Sequence, residues 1–191
     1  MANEEIKIAG GREEIQIMRK LTHEEIVTRQ VGGLDKPRLP LCVILNNIRS
    51  LHNVGAIFRT ADGAGVEKIY LCGCTGYPPQ GGIAKTALGA ENHVPWEYHA
   101  DALGVVRQLK AQGYQIVLLE QMQGSMSQDV FIPTPPVCLV IGNEVSGIAD
   151  DLVALCDAAV EIDMAGIKNS LNAAVAFGVV AYQFRGKIKS C

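Results

Sequence analysis

Short, wholly apolar segments alternate with stretches of helical periodicity through most of this chain, and that alternation restricts the fold more than any other feature. Residues 41–45 and 137–141 are apolar at every position. A strand of that kind has no side for water, so it belongs in a parallel sheet with helices on both faces. Further strands are expected at 68–72, 115–120 and 158–162, with a weaker one at 95–98. Helices fit 53–64, 101–112, 146–156 and 170–183. The expected fold class is α/β, a mostly parallel sheet covered by helices.

Ahead of the first strand, residues 13–30 read as an amphipathic helix interrupted near Leu21 and Thr22, where Thr22 and Glu25 have the spacing of a capping box. Gly32, Gly33, Pro37 and Pro40 then mark a linker. No internal repeat or low-complexity segment is visible. Residues 76–82, with Pro78, Pro79 and glycines, read as a surface loop, with ordering over a bound ligand as a second reading.

Composition removes several classes. With 48% hydrophobic and 19% charged residues over 191 positions, the chain is neither disordered nor membrane-like. The longest apolar run, 173–182, is too short to span a bilayer, and residues 1–10 lack the basic and apolar pattern of a signal peptide. The expected location is cytoplasmic, with no membrane partner. Six cysteines supply no paired zinc-like spacing: Cys72 and Cys74 stand alone as a close pair, so reduced thiols and no metal are expected. A net charge of −3 counts against a large nonspecific nucleic-acid surface, so any nucleic-acid contact must rest on local patches or on a surface built by two subunits. The charge is uneven, with a basic tail at Arg185, Lys187 and Lys189 and an acidic stretch from Asp150 to Asp163.

Between the first strand and the second runs NNIRSLHNVGAIFRTADGAG, residues 46–65. Its polar groups fall at the carboxyl end of a strand, where open α/β sheets gather ligands. Val54, Ile57, Phe58 and Ala61 supply the apolar face of the following helix, which leaves Asn53 and Arg59 free for recognition. The glycines here, Gly55, Gly63 and Gly65, lack the G-x-G-x-x-G spacing, so a nicotinamide site is not expected.

This run resembles the first motif of the SpoU, or TrmH-like, RNA 2'-O-ribose methyltransferases of the SPOUT superfamily. Asn46, Arg49, Asn53, Gly55, Ile57, Arg59, Ala61 and Gly65 all fall at the family's spacing. The second motif is similar to VIGNEVSGI at 140–148, and the third to IDMAG at 162–166 leading into Ser170, Leu171 and Asn172. The family commonly has proline at the place of Asp163.

The resemblance implies a SPOUT domain over 41–191 with a carboxyl-terminal trefoil knot, preceded by a helical extension over 1–40. It implies S-adenosylmethionine as cofactor, held by loops that map onto Leu119 and Glu120, onto Gly142, Asn143 and Glu144, and onto Ile162, Met164, Gly166 and Leu171. By residue matching, Arg59 is the family's catalytic arginine, with Asn53, Glu144, Ser170 and Asn172 as its polar companions. The implied substrate is tRNA or rRNA, and the implied assembly is a homodimer packed near the last helix, whose Ala173, Ala174, Ala176, Gly178 and Ala181 permit close approach. Position alone leaves other readings open: Asn53 and Ser170 serve equally as helix N-caps, Asn172 as a partner of a first turn, Glu144 as a surface carboxylate, Arg59 as a surface ion pair, and Met164 and Leu171 as ordinary core. Two other functions stand as alternatives, a related SPOUT methyltransferase acting on a base and an RNA-binding protein that has kept the fold and lost turnover; the intact Arg59, Glu144, Ser170 and Asn172 argue against the last.

Overall fold

The computed structural model describes residues 18–31 and 37–189. The chain divides into two units, 1–37 and 38–191. In the first, helix α1 (His23–Val31) opens on the expected capping box: the Thr22 amide donates to Glu25 Oε2 at 2.7 Å and the Glu25 amide to Thr22 Oγ1 at 3.3 Å. Arg19 pairs with the same carboxylate, and these donors pull the Glu25 carboxyl down to about 2. The part of the expected helix before residue 18 lies outside the described residues.

The second unit is built on seven strands: β1 (Leu39–Asn46), β2 (Val66–Cys72), β3 (Trp96–His99), β4 (Gln115–Leu119), β5 (Met126–Ser127), β6 (Val137–Ile141) and β7 (Ala158–Glu161). They lie in the order β3-β2-β1-β6-β4-β7-β5, and every neighbouring pair is parallel. Alternation along the strands makes two cores. Leu41, Val43, Leu45, Leu139 and Ile141 face one side, where they pack with Phe58 of α2 (Leu51–Ala64) and with Phe177 and Phe184 of α6 (Ala173–Lys189). Cys42, Ile44, Cys138 and Val140 face the other, against Val105, Val106 and Leu109 of α4 (Ala102–Ala111) and Leu152 of α5 (Asp150–Val153). Each large side chain so buried contributes about 1.5–3 kcal/mol. No described helix is long and apolar enough to cross a membrane.

Several expected boundaries move. The helix expected from residue 53 begins at Leu51, because Ser50 rather than Asn53 is its N-cap: Ser50 Oγ accepts the Asn53 amide at 3.2 Å. The expected helix at 146–156 contracts to Asp150–Val153, since Gly147 takes a left-handed φ of 66° within a turn. The last helix begins at Ala173, not 170, and runs to Lys189. The segment read as a loop gives way to helix α3 (Gly81–Ala87), which packs on α2. Strand β5 was not expected.

Because all strands run the same way, the segments after β1, β4, β6 and β7 leave from one edge of the sheet. Successive strands step outward from β1 to β2 to β3, while β6 and β4 lie on the other side of β1. The reversal falls between β1 and β6, the position where open parallel sheets form a ligand crevice.

Candidate functional site

Ser50 caps α2, and this leaves the Asn53 side chain available. Asn53 Nδ2 donates to Glu144 Oε1 at 2.8 Å, and Asn53 Oδ1 accepts from Asn172 Nδ2 at 3.0 Å. Asn172 is held in turn as the cap of α6, its Oδ1 accepting the amides of Ala174 at 3.0 Å and Val175 at 3.4 Å. One residue from each of the three sequence motifs thus meets in a continuous chain of hydrogen bonds. Ser170 is exposed, lies at the mouth of the adjoining cleft and makes no side-chain hydrogen bond among the described residues, so it is not the cap of the last helix.

Glu144 is set by the turn that carries it. Asn143 and Gly147 exchange two backbone hydrogen bonds across this turn, at 3.2 and 2.9 Å. The Asn143 side chain donates to the Asn47 carbonyl at 2.9 Å and accepts the amides of Val145 and Ser146 at 2.9 and 3.0 Å. Asn47 adopts a left-handed φ of 61°, and its Oδ1 accepts the Cys74 amide at 3.0 Å. Asn143 therefore ties the loop after β6 to the loop after β1. Gly142 has a packing reason: a Cβ there would sit 2.5 Å from Ile148 Cγ1 and 2.6 Å from the Gly147 carbonyl. Its lack of a side chain serves the packing of the turn.

Beside this chain of hydrogen bonds lies a cleft of about 270 Å³. Leu119, Ile141, Ile162, Met164 and Leu171 give it apolar walls, with Ala173 and Ala176 of α6 behind them; Glu120, Glu144 and Glu161 supply carboxylates. Gln121 Nε2 donates to the Asn169 carbonyl at 2.7 Å and so joins the loop after β4 to the loop after β7. Of the residues expected to hold a cofactor, Leu119, Glu120, Gly142, Asn143, Glu144, Ile162, Met164 and Leu171 line this cleft and Gly166 does not. Sequence reasoning missed Gln121 and Glu161. Glu161 was findable, since it ends a strand on the same edge as Glu120. Apolar walls suit the faces of a purine, and clustered carboxylates suit a cationic centre. The residues present therefore fit S-adenosylmethionine, which has both.

Arg59 stands apart from the cleft. Six residues beyond Asn53 on a helix of 3.6 residues per turn, it is rotated by roughly 120° from it. It is exposed, and among the described residues it makes no hydrogen bond or ion pair. Arg49, in the loop after β1, is likewise exposed and unpaired among those residues. The buried thiols are held protonated: burial pushes Cys42 and Cys72 up to about 12 and raises Cys138 well above the usual thiol range, with Glu67 adding to the effect at Cys42.

The model of the SpoU rRNA Methylase family matches residues 40–182. A tRNA (guanosine(18)-2'-O)-methyltransferase of Aquifex aeolicus (strain VF5) is 31% identical over 171 residues, covering 87% of this chain and 79% of that protein. Among solved structures, the A. aeolicus TrmH/SpoU tRNA modifying enzyme is similar with a TM-score of 0.76 at 28% identity, over 87% of this chain and 84% of that one. An AdoMet-bound rRNA methyltransferase from Sinorhizobium meliloti is similar with a TM-score of 0.73 at 31% identity, over 78% of this chain and 57% of that one.

Proposed function

The chain belongs to the SpoU rRNA Methylase family, and from that premise we propose that it methylates a ribose 2'-hydroxyl of tRNA or rRNA with S-adenosylmethionine. The observation that carries this reading is the Asn172–Asn53–Glu144 hydrogen-bond chain beside an apolar, carboxylate-bearing cleft. Of the alternatives from sequence, a silent RNA-binding protein gives no reason for this polar chain, and a base methyltransferase is distinguished by the nucleoside that carries the label.

In this reading the cleft holds the cofactor, with Leu119, Ile162, Met164 and Leu171 against the adenine and Glu120 and Glu161 near its charged groups. Gly142 and Asn143 shape the loop that closes one wall. When bound, S-adenosylmethionine supplies an electrophilic methyl carbon on a sulfonium, so the sulfur leaves as a neutral thioether.

The chain's own residues must hold the 2'-hydroxyl in line and stabilise charge that develops on its oxygen. Glu144 spends Oε1 on Asn53 and keeps Oε2 free among the described residues. Oε2 would accept the hydrogen bond of the 2'-hydroxyl and so orient that hydroxyl beside the cleft. Ser170 and Asn172 border the same opening and contact the ribose. Arg59 binds a phosphate of the nucleotide or the developing alkoxide. A guanidinium stays protonated, so Arg59 is not the base; the proton leaves to a phosphate, to water or to a nearby acceptor such as Glu144.

The reading also takes residues 41–191 as the methyltransferase domain, with the family's trefoil knot, and 1–40 as an extension. It places the protein in the cytoplasm without a metal, as a homodimer. Of the small residues of α6, Ala181 is buried and Gly178 lies against Thr60, whereas Val175, Val179 and Tyr182 form an exposed apolar stripe suited to a second copy. A monomer by light scattering at micromolar concentration would oppose the dimer.

The test is to incubate the protein with methyl-labelled S-adenosylmethionine and separate pools of undermodified tRNA and rRNA, and to identify the labelled nucleoside. A 2'-O-methylated nucleoside is expected, first in the tRNA pool given the A. aeolicus relative's named substrate. Label on a base, or none despite cofactor binding, overturns the reading.

A further inference from the structure

Toward the β3 side, the sheet carries three aromatic rings that neither the cleft nor the Asn53–Glu144–Asn172 chain uses. Trp96 and Tyr98 are alternate residues of β3, the terminal strand, and so share one of its faces. Tyr77, from the loop after β2, lies against both, its ring centroid 4.6 Å from that of Tyr98 and 6.4 Å from that of Trp96. Trp96 packs on the core, and the Tyr98 hydroxyl donates to the Gly73 carbonyl at 2.9 Å, which fixes the ring. Tyr77 and Tyr98 nevertheless remain 44% and 41% exposed.

We propose that Tyr77 and Tyr98 form a stacking platform for an unpaired base of the RNA substrate close to the nucleotide being methylated. This rests on the reading of the protein as an RNA 2'-O-methyltransferase. The platform faces the same helices as the site, and its loop is fixed to the helix that carries Asn53. Gly76, the residue before Tyr77, is pressed so closely on Leu51 that a Cβ would collide with it, and Leu51 is the first residue of α2. Asn47 Oδ1 holds the Cys74 amide of the same loop. At a strand spacing of about 4.8 Å, β3 is roughly 10 Å across the sheet from β1, a neighbouring nucleotide's reach from a ribose beside Asn53.

Charge agrees with an RNA occupant. Lys68 is matched by Glu97 and Lys110 by Asp157. Arg49 and Lys85, by contrast, are exposed and unpaired among the described residues. Arg49 follows Asn47 by two positions, and Lys85 precedes Thr86, whose hydroxyl donates to the His52 carbonyl in the first turn of α2 at 3.0 Å. Two cations beside the α2 amino terminus can take the phosphates of a strand whose base lies on the rings. A protein of net charge −3 needs such local cations to hold a polyanion. Aromatic faces accept any base that is unstacked, which favours a single-stranded or looped segment.

Trp96 is the only tryptophan of the chain, so its emission reports the platform directly. The wild-type protein is titrated with undermodified tRNA and, separately, with S-adenosylmethionine. RNA is expected to change Trp96 emission with the concentration dependence of methylation, and the cofactor alone is not. Tyr77→Leu, and the double variant with Tyr98→Leu, should raise the KM for RNA about tenfold or more, while kcat and cofactor affinity stay within about twofold. Tyr77→Phe should restore the wild-type KM, and thermal melting separates misfolded variants. Wild-type methylation with an unchanged RNA KM in Tyr77→Leu overturns the platform alone. So does Trp96 emission that follows protein concentration and ignores RNA, which assigns the face to a second copy. Absence of 2'-O-methylation by the wild type instead overturns the functional reading beneath it.

Discussion

Asn172 Nδ2 lies 3.0 Å from Asn53 Oδ1, joining two side chains 119 positions apart in the sequence. The contact fixes the orientation of Asn53, whose amide nitrogen must then point to Glu144 Oε1, 2.8 Å away. Three polar residues are oriented by one another, and Glu144 keeps one oxygen for a ligand.

Asn53→Asp therefore replaces a donor to Glu144 with a second carboxylate and sets like charges side by side. The single-turnover rate of methyl transfer is expected to fall by about 100-fold, the scale for misplacing a reacting group once Glu144 loses the donor that orients it. The melting temperature should change little, because the group is not part of either core. A wild-type rate in this variant would detach Asn53 from the chemistry.

Arg59 is exposed and unpaired among the described residues, so its removal should leave stability within about 0.5 kcal/mol. Arg59→Ala is expected to lose about 100-fold or more in kcat/KM for RNA. Arg59→Lys keeps the charge but loses the planar fork, and should fall between, about tenfold below wild type. Steady-state kinetics with urea melts of each variant decide the matter; a lysine variant at the wild-type rate shows that charge alone suffices.

Asn143 and Leu171 border the same cleft for different reasons. Asn143→Ala removes the bond to the Asn47 carbonyl and those from the Val145 and Ser146 amides, which should cost about 1–3 kcal/mol in urea unfolding and weaken cofactor binding as the turn loosens. Leu171 is 39% exposed, so Leu171→Ala should leave the unfolding midpoint nearly unchanged while raising the cofactor Kd about tenfold. Calorimetric titration beside urea melts separates the two; equal stability loss in both variants would make Leu171 core.

The central strands were legible because burial on both faces leaves no polar position in them. Helix α3 was not: Gly81 and Gly82 read as a loop, and the helix forms because Gly82 packs on Leu51 and Ile83 enters the core, contacts with a distant segment. Strand β5, at two residues, is too short to carry a period. The site residues were visible as members of motifs, but not their geometry. Whether Asn53 capped its own helix or reached Glu144, 91 positions away, depended on Ser50 taking the cap first. Gly55 shows the converse, since a Cβ there would strike Thr86 and the Ile83 carbonyl, so this motif glycine serves the packing of α2 on α3.

The buried thiols link stability to alkaline pH. Burial raises Cys42 and Cys72 to about 12, raises Cys138 well above the usual thiol range, and raises the Tyr70 and Tyr114 hydroxyls as well. An unfolded thiol ionises near about 8.5. A folded pKa above the unfolded one means that these groups contribute fully below about pH 8.5 and lose their contribution as pH rises toward 12. The urea midpoint is therefore expected to fall steadily between about pH 9 and 11. At pH 8 in native buffer, a thiol reagent followed by peptide mapping should label the exposed Cys74 and leave Cys42, Cys72 and Cys138 unmodified until urea is added. Rapid native labelling of those three would mean that the sheet opens around them far more often than their burial implies.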